Sequence, residues 1–125
     1  MKIRAIKIDK RFVPTWNGNK DLPTTEQMVI YFKRIPGTSE KSVYQNMSFD
    51  TQGKIQLNYN DSLLVQSFID RIDNLEIEVD GKDKRIESGK DLAFANASQL
   101  SDLLTEIRSY LFPDADELTV GEKKA

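Results

Sequence analysis

Apolar residues recur at helical spacing in two stretches of the chain. The first stretch follows Asn60 and Asp61, either of which can cap a helix. Its apolar stripe consists of Leu64, Val65, Phe68, Ile69 and Ile72. The second follows Asn96 or Ser98 as the cap and stops at Pro113. Its stripe consists of Leu100, Leu103, Leu104, Ile107 and Leu111. The two patterns predict amphipathic helices over about 61–73 and 98–112.

Alternating apolar and polar residues predict two strands in the first third of the chain. Lys2–Asp9 alternates with Ile6 and Ile8 on one face. Gln27–Arg34 alternates with a face that is more apolar than the other and should point to the core. That face consists of Met28, Ile30 and Phe32.

The middle of the chain predicts shorter elements. Thr38 or Ser39 can begin a short helix through about Met47, in which Val43 and Tyr44 lie at helical spacing with Met47. A short strand is predicted over Lys54–Asn58 after a turn.

A β-hairpin is predicted over about 75–87, because Leu75–Val79 alternates and Asp80-Gly81 is a turn signal. Cross-strand pairing favours a four-residue loop, Asp80–Asp83, which places Glu78 opposite Arg85 and Ile77 opposite Ile86. A two-residue loop would place Glu78 opposite Asp83, and like charges facing each other are unfavourable.

Together these elements predict an α+β fold, in which a small antiparallel sheet with a β-hairpin packs against the two main helices. A chain of 125 residues fits one domain. We expect the domain to cover residues 1–112 and residues 113–125 to form a mobile polar tail.

Composition argues against most catalytic chemistry. The chain has no Cys and no His, which excludes disulfides, thiolate nucleophiles and triads that use His. Asp70, Asp73, Glu76, Glu78 and Asp80 form an acidic run, but without a calcium-loop motif a solvated surface is the favoured interpretation. We therefore expect no enzyme activity, no cofactor and no metal site.

Charge and hydropathy also limit the classes of partner that we expect for this chain. The 18 basic and 20 acidic residues give a net charge of −2, which provides no general attraction to nucleic acid or to an anionic membrane. No apolar run approaches the length of a membrane span. The partner expected from the sequence is therefore another protein, and homo-oligomerisation stays open.

The extended segment from Phe12 to Asn19 contains the only Trp of the chain and is made rigid by Pro14. Trp16 has two interpretations: it plugs the core of its own domain, or it anchors a partner, as Trp often does. The candidate partner-binding residues are Phe12, Trp16 and Asn17 in this segment and Leu118 and Val120 in the tail.

Three parts of the sequence together resemble a known group of proteins. They are Phe12-Val-Pro-Thr-Trp-Asn-Gly-Asn-Lys-Asp-Leu-Pro with Glu26-Gln27, Asn74-Leu-Glu-Ile-Glu-Val with Ile86-Glu-Ser-Gly-Lys-Asp-Leu, and Leu100–Leu111 followed by Leu118-Thr-Val-Gly-Glu-Lys-Lys. In these parts the chain resembles tail-assembly chaperone-like proteins of siphovirus-type phages and prophages.

The resemblance implies a non-enzymatic factor that binds the tape-measure protein or the tail tube protein in the cytoplasm of the bacterial host, during infection or prophage induction. The resemblance does not identify any binding residue in this chain. Two alternatives stay open: a structural virion subunit of the tail or head–tail connector, and a small phage protein that binds a host enzyme.

Overall fold

The structure is a computed structural model that describes residues 1–5, 7–95 and 97–113. These residues form small antiparallel sheets and several helices, with 36% helix and 26% strand, which confirms the α+β class. The strands are β1 (Arg11–Phe12), β2 (Val29–Phe32), β3 (Gln45–Phe49), β4 (Ile55–Tyr59), β5 (Ile69–Asp73), β6 (Glu76–Val79) and β7 (Lys82–Arg85). The α-helices are α1 (Lys41–Tyr44), α2 (Asp61–Phe68), α3 (Gly89–Ala93) and α4 (Ser101–Leu111), and short 3-10 helices cover Trp16–Asp21, Thr38–Glu40 and Ser98–Leu100.

The central sheet has the strand order β1-β2-β5, with both pairings antiparallel. The predicted core face of β2 is confirmed, since Met28, Ile30 and Phe32 are all buried. They join one hydrophobic core with the apolar faces of α2 and α4. The second predicted helix is present as the turn Ser98–Leu100 followed by α4.

The first predicted helix is too long by five residues. It begins at Asp61 as predicted but ends at Phe68, and Ile69–Asp73 continues directly as β5. Pairing with β2 outweighs the helical pattern here, because it buries Ile69 and Ile72 against the sheet. A regular strand would point these two side chains to opposite faces. The register shifts between them, leaving Asp70 as the extra residue of a bulge, and this lets both reach the core.

The β6–β7 hairpin lies where it was predicted, but the predicted four-residue loop is wrong. Glu78 pairs with Asp83 and Ile77 pairs with Lys84, so the loop is the two residues Asp80 and Gly81. Both loop residues have positive φ, 52° and 77°, as the favoured two-residue hairpin turn requires. Glu78 and Asp83 are exposed, so water screens their repulsion and the turn geometry decides the register.

Two other predicted elements are wrong. The described residues of Lys2–Asp9 form no strand, and Ile6 lies outside the described residues. Ile3 is exposed in this segment, so the alternating pattern of the sequence is not matched by a buried apolar face. The helix predicted through Met47 is only the turn Thr38–Glu40 and α1, after which the chain becomes β3. The strand predicted over Lys54–Asn58 is present as β4, one residue later.

Gly89 allows α3 to pack directly on α2. A Cβ at this position would collide with the carbonyl oxygen of Val65 and would lie 2.8 Å from its carbonyl carbon. The absence of a side chain is therefore what lets the first turn of α3 touch the backbone of α2.

Candidate partner-binding surface

The acidic side chains of the described residues are not gathered into a metal site. These residues contain no group of three or more His, Cys, Asp or Glu side chains placed to hold a metal ion, so the acidic run of the sequence does not converge. None of the helices in this part of the chain combines the length and the apolar character needed to cross a bilayer.

Phe12, one of the candidate partner-binding residues, is used inside the domain. Its ring stacks on Tyr110 with centroids 4.0 Å apart and lies 6.3 Å from Phe32. The Tyr110 hydroxyl donates a hydrogen bond to the carbonyl oxygen of Asp9 at 2.7 Å, and burial raises its pKa. Phe12 therefore joins the start of the chain to α4.

Trp16 is half-buried and packs against the hydrophobic core. It lines a shallow cavity of about 190 Å³ together with Met28 and Leu75. Next to it, Asn17 is exposed and takes a left-handed conformation with φ of 54°. These contacts show that Trp16 packs on the core of its own domain, and its role as a partner anchor stays a prediction.

Asn19 holds the same segment with a buried side chain, a role that the sequence did not reveal. Its Nδ2 donates to the carbonyl oxygens of Pro14 and Met28, both at 2.9 Å, and its Oδ1 accepts from the Met28 amide at 2.7 Å. From the other side, the Thr15 amide and hydroxyl donate to the Glu106 carboxylate at 2.6 and 2.9 Å. These hydrogen bonds hold the segment against β2 and α4. It is not a free arm.

The other two candidates, Leu118 and Val120, lie outside the described residues. The predicted tail likewise begins where the described part of the chain ends.

Within residues 1–5, 7–95 and 97–113, four exposed apolar side chains come together on the β3–β4 hairpin. Its register pairs Met47 with Leu57 and Phe49 with Ile55, so all four side chains point to the same face. Their exposed fractions are 64% for Met47, 68% for Phe49, 61% for Ile55 and 52% for Leu57. We call this two-by-two block the hairpin face.

The opposite side of the hairpin is polar. It carries Asn46, Ser48, Gln56 and Asn58, and the Asn58 Nδ2 donates to the Ser48 Oγ at 3.2 Å. No strand residue of β3 or β4 carries a charge, in a chain of which 30% is charged. The hairpin is thus amphipathic, with its apolar side turned to solvent.

The tip and the base of the hairpin are both well defined. At the tip, Asp50 Oδ1 accepts from the backbone amides of Gln52 and Lys54, each at 2.8 Å. At the base, the Asn60 amide donates to the Tyr44 carbonyl at 2.7 Å, and the Tyr44 ring packs edge-on against Phe68. The strands between them contact the rest of the described chain mainly through α1, so they project from the domain.

A charged cluster reinforces the base. The Arg108 guanidinium stacks 4.2 Å above the Tyr59 ring and donates two hydrogen bonds to the Asp61 carboxylate, both at 2.9 Å. Tyr59 ends β4 and Asp61 begins α2. Because Tyr59 lies on the same side of β4 as Leu57, Arg108 borders the hairpin face at its base and leaves its four apolar side chains exposed.

Sequence reasoning missed this surface, although a signal was present. The two segments Gln45–Phe49 and Ile55–Tyr59 are uncharged, alternate in polarity and flank a turn that contains Gly53. That combination indicates a hairpin. Assigning Met47 to a helix with Val43 and Tyr44 hid the alternation.

Comparison of the chain with protein-family models, with curated proteins and with solved structures gives no significant match.

Proposed function

We propose that this protein is a non-enzymatic phage tail-assembly factor that binds an apolar segment of another tail protein. The observation that supports the proposal is the hairpin face, where four large apolar side chains lie on one side of a projecting hairpin and are each more than half exposed.

The size of the face favours a binding surface. A large apolar side chain carries about 150 Å² or more of surface, so four that are more than half exposed present on the order of 400 Å². The largest apolar patch of a typical monomer is ~300–600 Å² and is often functional. A patch of this size on a projecting hairpin contributes little to the core. We therefore attribute its apolar character to binding a partner.

The composition of the face also suits protein recognition. Phe and Met are enriched in interfaces, and the flexible Met47 side chain can adjust to the shape of a partner. The absence of strand charges means that an apolar partner would not leave a buried charge unpaired on this side.

The phage context of the proposal comes from the sequence resemblance. It makes the tape-measure protein or the tail tube protein the expected partner, in the cytoplasm of the host. A structural subunit retained in the virion would use the same face for a permanent contact. Mass spectrometry of purified particles separates the two, because an assembly factor leaves before maturation and a subunit remains at fixed stoichiometry.

A matched pair of variants tests the binding surface. Phe49 and Phe94 have almost equal exposed fractions, 68% and 67%, but only Phe49 lies on the hairpin face. The tagged protein is co-expressed with the proteins of the same tail gene cluster and captured as wild type, Phe49→Ser and Phe94→Ser. We expect Phe49→Ser to lose the tail protein and Phe94→Ser to retain it. Retention by both variants would remove the hairpin face from the proposed function.

A further inference from the structure

We propose that, in the absence of a partner, the hairpin face is covered by the hairpin face of a second copy, forming a reversible symmetric dimer. The inference rests on the proposed function, since it takes the hairpin face to be a protein-binding surface, and it names the occupant of that surface before the tail protein arrives.

The β3–β4 hairpin needs a packing partner for its apolar side. A two-stranded hairpin is marginally stable at best in water unless it packs on something. The described residues provide contacts at its base through Tyr44 and Tyr59, but Met47, Phe49, Ile55 and Leu57 remain exposed. When the protein is alone in solution, a second copy is the one protein always present to cover them.

The hairpin face is compatible in shape and charge with the same face of a second copy. Packing two copies face to face joins two sheets about 10 Å apart, the ordinary distance between stacked sheets. Neither strand carries a charge, and the Arg108 guanidinium that borders the face is paired with Asp61. Since the chain has a net charge of only −2, the two faces approach without strong repulsion. A contact of a surface with its own copy is the usual basis of twofold dimers.

The area of the hairpin face limits the strength of this dimer. A stable interface buries about 800 Å² on each partner, and the hairpin face supplies only on the order of half of that. The dimer should therefore be weak and should dissociate when a tail protein competes for the same face.

A pair of neighbouring residues on β4 tests the dimer. Leu57 lies on the hairpin face, and Gln56 is exposed on the opposite side of the same strand. Sedimentation velocity of the full chain, across the micromolar range, is compared for wild type, Leu57→Lys and Gln56→Lys. We expect wild type and Gln56→Lys to dimerise with rising concentration, and Leu57→Lys to require at least about tenfold more protein, because the substitution places an unpaired charge in the interface.

A neutral variant guards against loss of folding. Met47→Gln keeps the side-chain length while replacing an apolar end by a polar one, and its circular dichroism and that of Leu57→Lys are recorded beside wild type. Weakened dimerisation of Met47→Gln with an unchanged spectrum supports the inference. A wild type that stays monomeric throughout the series, or equal effects of Leu57→Lys and Gln56→Lys, overturns it.

The two proposals fail in different ways. If wild type is monomeric but Phe49→Ser still loses the tail protein, the dimer is wrong and the proposed function stands. If the dimer depends on Leu57 but capture of the tail protein does not depend on Phe49, the hairpin face is a dimer surface and the proposed function is wrong about it.

Discussion

The sequence leaves open whether Trp16 plugs the core of its own domain or anchors a partner. The contacts of Trp16 in the structure bear on this question. The ring packs on the core beside Met28 and Leu75, and the flanking Thr15 and Asn19 are hydrogen-bonded to the domain. A residue held from both sides in this way stabilises the fold.

We therefore expect Trp16→Ala to lower the free energy of unfolding by about 2–3 kcal/mol, below the ~3–5 kcal/mol of a fully buried aromatic residue because Trp16 is half-buried. Urea denaturation measures this, with the exposed Phe94→Ala as the control. Capture of the tail protein should persist at temperatures where the variant is folded. Unchanged stability together with lost capture would return Trp16 to the interface.

Glu40 provides a pH test at a single residue. Hydrogen bonds from the Arg34 guanidinium, at 2.7 and 2.8 Å, and from the Gly37 amide lower the pKa of Glu40 from 4.5 to about 2. Because the folded-state pKa lies below the ordinary one, the pair stabilises the fold above about pH 4.5, and this contribution is lost as the pH falls toward 2.

Glu40→Gln should therefore melt at a lower temperature than wild type near neutral pH, and the two melting curves should converge as the pH approaches 2. Thermal melts across this pH range measure the difference. Glu26→Gln, at an exposed glutamate that makes no ion pair within the described residues, is the control. A difference that stays constant with pH would show that the carboxylate charge is not responsible.

Among the elements, α3 depends on close contact with α2. Gly89→Ala introduces a Cβ that meets the Val65 backbone, which has no freedom to rotate away. We expect a loss of about 3 kcal/mol in the free energy of unfolding, at the upper end of the range for overpacking.

Gly37→Ala is the matched control for this change. A Cβ at Gly37 would meet only the Glu40 side chain, at the ordinary contact distance of 3.7 Å, so its effect should be small. Chemical denaturation of both variants measures the contrast. Equal stabilities of the two variants would mean that α3 shifts away from α2 at little cost.

The elements also show what the sequence can and cannot predict here. The α4 stripe and the core face of β2 were predictable because their apolar patterns are long or strictly alternating. The end of α2 was not, because Ile69 and Ile72 fit a helix locally and only pairing with β2 makes them a strand. The β3–β4 hairpin was missed because Met47 fits a helical spacing and an alternating one equally well in a short window.

The candidate partner-binding site was also only partly predictable, because local sequence does not show long-range contacts. Sequence shows which residue types suit an interface, and Phe12 and Trp16 are of such types. It does not show which of their faces the domain covers. That depends on Tyr110, which stacks on Phe12, and on Glu106, which lies 91 positions from its partner Thr15. The exposed surface therefore emerged only from the fold.

At the scale of the whole molecule, the chain combines a packed body with a projecting hairpin that turns its apolar side outward. In the body, Phe12, Trp16 and Asn19 contribute to the fold. On the hairpin, Met47, Phe49, Ile55 and Leu57 contribute little to the core and remain exposed. Our central claim is that the residues that stabilise the fold and the residues that bind a partner are two different sets.

Site-specific photo-crosslinking tests the claim most directly. A photoreactive phenylalanine replaces Phe49 in one variant and Phe94 in another, the two being equally exposed, and both are illuminated in cells that express the tail gene cluster. We predict that the residue at position 49 crosslinks to a tail protein and that the residue at position 94 does not. Absence of any crosslink from position 49, or equal crosslinking from both positions, would contradict the assignment of the hairpin face as the binding surface.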